Sequence, residues 1–280
     1  MLRIRPMKAA DFRSIVRLTN QEHWGFTSRD FRRMLALEPK GCPIAVLDRR
    51  PIGLATTISY GRKLGWIGNV VVHKNHRGTG VASSLVESAI RHLLRSHVKS
   101  IGLNSYPENK SMYERLNFRQ TGAFVRLSIS RQTRRLPGSR RKVPLRQILK
   151  LDGEMFGADR SRLLRRILKE FPGGWTWILR GSEVSAYSVV KQYQDSSEMG
   201  PSVCKNMNQE DVETLLQSSI AITRKWPLEV SVPESNQLVL ETASRLGFRS
   251  ERSGVVMSLR DLDEVAVSPA IAAFGFLDKG

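Results

Sequence analysis

The sequence predicts an α/β protein with mixed sheets, built as two similar halves, and three observations carry that prediction. Between residues 66 and 96 a short apolar strand, a glycine-containing turn and an amphipathic helix follow one another directly. A late helix closing on Leu-x-Phe occurs twice, as Leu116-Asn117-Phe118 and Leu246-Gly247-Phe248. The 280 residues suffice for two domains of about 140, each able to bury its own core.

Taken in order, Leu2-Arg3-Ile4-Arg5 alternates as an edge strand, and Asp11 opens a helix whose Phe12, Ile15, Val16 and Leu18 share a face. A turn at 23–28 leads to a second helix over 30–37. Strands follow at 44–47 and 52–60, joined by the charged turn Asp48-Arg49-Arg50-Pro51. Ile67-Gly68-Asn69-Val70-Val71-Val72 is an apolar, β-branched run of the kind buried on both faces of a sheet. After the turn at 73–80, Val81, Leu85, Val86, Ala89, Ile90 and Leu93 share one helical face. Residues 101–105 form a strand, 109–116 a helix stopped at Asn117, which tolerates the left-handed conformation, and 123–129 a strand that closes the first sheet.

Residues 126–150 hold nine basic side chains and no acidic one, interrupted by Pro137, Gly138, Ser139 and Pro144, and read as a linker. No aromatic residues are interleaved to stack bases. Beyond it, helices are expected at 145–155, 161–168, 211–221 and 236–245, and strands at 175–179, 184–193, 255–259 and 271–276.

Composition bounds the partners. Forty-five Lys plus Arg against 26 Asp plus Glu give a net charge of +19, a field that attracts nucleotides, coenzyme A, nucleic acid and acidic surfaces. Cys42 and Cys204 lie far apart without C-x-x-C spacing, so neither zinc nor a disulfide is expected. No apolar run approaches the roughly 18 to 20 residues that span a bilayer, and the first twelve residues carry basic and polar side chains where a signal peptide is apolar. The expectation is a cytoplasmic protein with no membrane partner and no metal.

The chemistry follows from where the glycines fall. A helix begins with N–H groups that lack intrahelical partners and about half a positive charge, so residues 77–82 can wrap a phosphate with backbone donors. Gly78 and Gly80 let the backbone approach closely, and Arg77 adds a fixed cationic fork. A purely structural tight turn is the other reading of these glycines. Arg77-Gly78-Thr79-Gly80-Val81-Ala82 fits R-x-x-G-x-A; it has neither the lysine of a Walker loop nor the G-x-G-x-x-G of a dinucleotide site.

This stretch resembles the acyl-CoA pyrophosphate loop of the GNAT superfamily of N-acetyltransferases. The resemblance extends through Trp24-Gly25-Phe26-Thr27, Tyr60-Gly61, Trp66-Ile67-Gly68 and Tyr113-Glu114-Arg115-Leu116-Asn117-Phe118, in the family's order, and points to tandem GNAT proteins of the YitH-like type. It implies a tandem GNAT fold: a catalytic, acetyl-CoA-binding domain at 1–135, a basic linker at 136–144, and a degenerate GNAT-like domain at 145–280 that shapes the acceptor pocket. By the same resemblance Val70, Val71 and Val72 position the pantetheine with their backbone, and Arg77, Gly78, Thr79, Gly80, Val81 and Ala82 hold the pyrophosphate. Tyr113 occupies the position that protonates the departing thiolate, which a phenol with a pKa near 10 can do at neutral pH. His23, Trp24 and Tyr60 border the acceptor.

Two departures matter. Where many members carry a glutamate base, this chain has Gly68 and Asn69, so the base is unassigned, with Glu22, His23 and His73 as candidates. In the second half Ala243 falls where Tyr113 does and no R-x-x-G-x-A occurs, so that half is expected to be catalytically silent. The implied activity is transfer of acetyl from the co-substrate acetyl-CoA to an amine of a small acceptor. The alternative is a non-catalytic module that senses acyl-CoA or binds nucleic acid or another polyanion, which the missing glutamate favours and Tyr113 opposes.

Overall fold

The computed structural model describes residues 1–22, 24–130, 142–260 and 268–275, which fall into two compact units. The first comprises residues 1–119 with a strand end starting at Met257, and the second residues 120–256 with described C-terminal residues.

In the first unit the elements are β1 (Arg3–Pro6), α1 (Phe12–Asn20), α2 (Ser28–Leu37), β2 (Pro43–Leu47), β3 (Arg50–Tyr60), β4 (Leu64–Val72), α3 (Val81–Arg95), β5 (Ser100–Ser105) and α4 (Lys110–Glu114). The strands run β1-β2-β3-β4-β5, antiparallel up to β4. β5 is parallel to β4, which requires a crossover, and α3 supplies it. Because successive side chains on a strand point to opposite faces, Leu54 and Val71 join Ile15, Leu18, Phe31 and Met34 of α1 and α2 in one core. Their neighbours Ala55 and Val72 join Val81 and Leu85 of α3 in the other. The entry to α2 is fixed by Thr27 and Asp30, which cap each other's backbone, and Asp30 forms a buried ion pair with Arg33 at 2.6 Å. Trp66 lies opposite Gly102 in the β4–β5 ladder. A Cβ on Gly102 would come within 2.3 Å of the indole, so glycine there is what lets the largest core side chain lie across the ladder.

The second unit contains β6 (Arg119–Ile129), α5 (Leu145–Phe156), α6 (Ser161–Glu170), β7 (Trp175–Arg180), β8 (Glu183–Gln192), β9 (Ser197–Cys204), α7 (Gln209–Ile222), β10 (Leu228–Pro233), α8 (Gln237–Arg245), β11 (Arg249–Leu259) and β12 (Ile271–Ala273). Its strands run β11-β6-β10-β9-β8-β7, with β12 on β9. The segment Phe156-Gly157-Ala158-Asp159-Arg160 is a folding node. Gly157, at φ 79°, ends α5, and Arg160 turns back to make a two-pronged ion pair with Asp152 at 2.6 and 3.1 Å. The guanidinium sits 3.6 Å from the centroid of the Phe156 ring, and the Tyr187 hydroxyl donates to the same Asp152 carboxylate. All of these side chains are buried, and the ionised pair is tolerable there because each charge is matched and hydrogen-bonded.

Several boundaries differ from the sequence reading. The strands β9 and β10 were not expected: Gly200-Pro201 inside β9 reads as a break, and β10 is a six-residue run ending on proline. β4 begins at Leu64 and β6 at Arg119, each earlier than the apolar runs suggest. The helix expected over 109–116 is a 3-10 turn, Pro107–Asn109, followed by the short α4. Most of the expected linker (136–141), His23 and residue 276 lie outside the described residues.

Candidate functional site

The site grows out of β4. Its ladder with β5 runs from Leu64 opposite Ser100 to Ile67 opposite Leu103, and among the described residues it goes no further, although β4 continues to Val72 and β5 to Ser105. The parallel strands therefore part beyond Ile67 and leave one backbone edge of residues 68–72 unpaired with β5. On the other edge, the register with β3 passes from Leu54 opposite Val71 to Thr56 opposite Gly68. Asn69 and Val70 thus face a single β3 residue, a bulge, with Asn69 at φ 50°. The Asn69 amide donates to Thr56 Oγ1 at 3.0 Å and to the Met34 sulfur at 3.6 Å. No carboxylate occupies this place.

At the end of β4 the chain turns through 73–80 into α3. Gly78 and Gly80 have φ of 75° and 80°, a region that glycine enters without penalty, and a Cβ on either would meet nothing within 4 Å. Gly80 is the N-cap of α3. It offers no side-chain cap, and no acidic residue lies in the first turn. Ser84 N–H bonds back to Gly80 O at 3.1 Å, so the N–H groups of Val81, Ala82 and Ser83 point out of the helix end. Thr79 Oγ1 donates to His76 O at 2.8 Å, which braces the loop. Arg77 Nε donates to Val72 O at 3.0 Å, and its Nη2 is paired with the Glu22 carboxylate. His73 accepts a hydrogen bond from Asn75 N–H through Nδ1, which engages one nitrogen of that candidate base.

Tyr113 lies on α4, shortly beyond the end of β5, buried and edge-on to Phe118 with ring centroids 6.0 Å apart. Burial pushes its phenol well above the ordinary value near 10. No described residue hydrogen-bonds its hydroxyl. The expected acceptor residues are dispersed. Trp24 is exposed and packs edge-on to Phe26, which packs on Phe31. Tyr60, expected at the acceptor, is buried opposite Leu64, at the end of β4 away from the loop.

The second unit repeats the frame with other residues at these places. Phe118 N–H bonds to Tyr113 O, and Phe248 N–H bonds to Ala243 O, so Ala243 does occupy the tyrosine's structural position. The N-terminus of α7 is closed by its own residues: Asn208 accepts from Asp211 N–H at 3.0 Å, and Glu210 and Asp211 lie in the first turn, both paired with Arg180. That Asn-x-x-Asp pattern before an apolar run is a sequence signal for a capped helix end.

A mixed sheet whose parallel strands part, leading into a crossover helix with a bare, glycine-capped N-terminus, leaves one helix end open to an anion. An acetyltransferase (GNAT) family model matches residues 10–118, and an acetyltransferase (GNAT) domain model matches residues 148–264. Among solved structures, a putative acetyltransferase from Pyrococcus horikoshii superposes with a TM-score of 0.84 at 21% identity, over 100% of this chain and 96% of that one. A GCN5-related N-acetyltransferase from Sphaerobacter thermophilus gives 0.68 at 17%, over 92% and 95%, and a tandem GNAT protein from the clavulanic acid biosynthesis pathway gives 0.65 at 12%, over 92% and 98%. No curated protein matches the sequence. The chain belongs to the GNAT acetyltransferases and has the tandem form of their fold. Among the described residues no group of metal-ligating side chains gathers, and no helix is long and apolar enough to cross a membrane.

Proposed function

We propose that the first unit is an N-acetyltransferase that moves the acetyl group of acetyl-CoA to an amine of a small acceptor, and that the second unit binds no acyl-CoA. The carrying observation is the contrast between the two helix ends: α3 is bare, glycine-capped and flanked by Arg77, whereas α7 is filled by its own carboxylates. The residues fit a diphosphate, because three outward N–H groups, two glycines with open space where a Cβ would be, and a guanidinium converge on one loop. The edge of β4 at Val70, Val71 and Val72 is suited to orient an extended pantetheine by strand-like hydrogen bonding. Acetyl-CoA supplies an activated thioester. Tyr113, kept protonated by burial, holds the proton that the leaving sulfur takes.

The bulge at Asn69 offers no base. An alkyl ammonium with a pKa near 10 is mostly protonated at neutral pH, so the acceptor is an amine of low basicity or is deprotonated by another group. The same feature favours the second reading, an acyl-CoA binder without turnover.

Calorimetry with Gly80→Asp and a screen of amines following thiol release together test the proposal. The variant should stay folded and bind acetyl-CoA about 10- to 150-fold more weakly, the worth of one or two charge-assisted hydrogen bonds. Unchanged affinity would overturn the loop assignment, whereas binding without thiol release for any amine would select the second reading.

A further inference from the structure

The end of the first unit opposite the cofactor loop is a cationic surface. Three connections meet there: the exit of α2, the β3–β4 turn at 61–63 and the α3–β5 connection at 96–99. They are tied together by Lys99 N–H to Arg62 O at 2.8 Å, Ser100 N–H to Lys63 O at 3.2 Å, and Thr57 Oγ1 to Gly41 O at 2.8 Å. Lys40, Arg62, Lys63, Arg95 and Lys99 are all exposed on these segments. Among the described residues none of the five forms an ion pair. The carboxylates at this end are already engaged. Asp11 is paired with Arg5 at 2.7 Å, and Glu38 is buried between the Ser59 N–H, the Ser59 hydroxyl and His92.

Five unneutralised cations on one face, carried by segments that hydrogen bonds hold together, present a concentrated positive potential that attracts polyanions. We infer that this face binds the phosphate backbone of double-stranded nucleic acid, without sequence preference. Its chemistry selects that partner. Among the described residues no large apolar side chain is exposed there to enter a membrane, the exposed ones being Met1, Leu2, Trp24 and Leu179. Among the described residues the phenol and indole rings nearest this end, Tyr60 and Trp66, are buried, so no large aromatic ring is offered to stack on the bases of a single strand. Contact with phosphates alone fixes position on a duplex but reads no sequence. The nine residues of β4 separate this face from the loop at 73–80 by roughly 30 Å, at about 3.3 Å per residue, so duplex and coenzyme should bind independently.

The test is fluorescence anisotropy of a labelled duplex with the full chain, with and without saturating coenzyme A. If all five cations meet phosphates, the slope of log K on log salt is about −4.5, a loss of about 500-fold between about 50 and 200 mM salt. In Arg62→Gln/Lys63→Gln/Lys99→Gln the slope should fall to about −1.8, a loss of about 12-fold, while coenzyme A affinity stays unchanged. Arg146→Gln/Arg165→Gln/Lys169→Gln removes the same charge from the second unit and should keep nearly the wild-type slope. The inference is overturned if no duplex binds, if the two triple variants weaken binding equally, if coenzyme A displaces the duplex, or if anionic phosphatidylserine vesicles bind where the duplex does not.

Discussion

Arg77 cannot serve a diphosphate and Glu22 at full strength at once. Its Nε is anchored on Val72 O, while Nη2 is held by the Glu22 carboxylate, 55 residues earlier in the chain at the end of α1. Glu22 therefore acts as an internal anion on the loop at 73–80, and if that loop takes the diphosphate as proposed, Glu22→Gln should tighten coenzyme A binding. The side chains of Arg77 and Glu22 are 48% and 27% exposed, so solvent screens the pair and its worth is that of a surface ion pair, about 0.2–1 kcal/mol. Removing the competitor then lowers Kd by about 1.4- to 5-fold. Arg77→Gln acts in the opposite direction, weakening binding by about 10- to 150-fold through loss of charge-assisted hydrogen bonds. In the Arg77→Gln background Glu22→Gln should do nothing further. Titration calorimetry on the four proteins at one low ionic strength measures the cycle. Weaker binding by Glu22→Gln alone would refute the reasoning, and would mean that Glu22 holds Arg77 in its binding pose instead of competing for it.

Two more outcomes follow from the buried groups. Tyr113→Phe should keep coenzyme A affinity and lower kcat by about 10²- to 10⁴-fold; because burial raises the phenol pKa, the wild-type kcat should show no alkaline fall from this group up to about pH 10, and wild-type turnover by the variant would reduce Tyr113 to packing. At Glu38, burial opposes ionisation, but hydrogen bonds from His92 and Ser59 outweigh it and hold the carboxyl below its ordinary value of 4.5. A depressed carboxyl stabilises the fold fully above its unfolded value and loses that contribution as pH falls through its folded value. Glu38→Gln should therefore lower Tm at pH 7, by an amount corresponding to about 1–3 kcal/mol, and the gap to wild type should shrink in acid; a gap independent of pH would refute the assignment.

Much of this was legible in the residues because the chemistry there is local. Gly78, Gly80 and the start of α3 at Val81 stand where the glycine spacing and the apolar face place them, and Asn117 takes the left-handed conformation expected of a helix stop. Counting back from Phe118 and Phe248 matched Tyr113 to Ala243, since a hydrogen bond at fixed separation sets both. What sequence could not supply was long-range. The Glu22–Arg77 pair and the Glu38–His92 contact join residues more than fifty apart in sequence, and no periodicity encodes them. The burial of Tyr60 is hidden for a related reason: an aromatic residue beside a glycine looks the same at an open edge and at a buried hairpin end, and only the register with Leu64 separates the two. β9 escaped because Gly200-Pro201 is a local signal for a break, which pairing with β8 and β10 overrides.

The two crossover helices also bear on why the bare end of α3 is a functional feature. A side-chain N-cap contributes about 1 kcal/mol to a helix, and a carboxylate in the first turn about 0.3–1 kcal/mol more. α7 has both, through Asn208 and through Glu210 and Asp211; α3, of similar length and on an equivalent crossover, has neither. A carboxylate in the turn that follows Gly80 could supply the second, so α3 forgoes about 0.3–1 kcal/mol of available stabilisation; Gly80 itself, at φ 80°, holds a conformation that a side chain would strain. Positions that break a local stability rule without structural need are where function is expected, and the first turn of α3 carries no acidic residue. In the second half the corresponding helix end is closed by the chain's own carboxylates, and Arg180 pairs with them. The open α3 end, and with it the acyl-CoA assignment, thus rests on a difference between two copies of one fold within one chain.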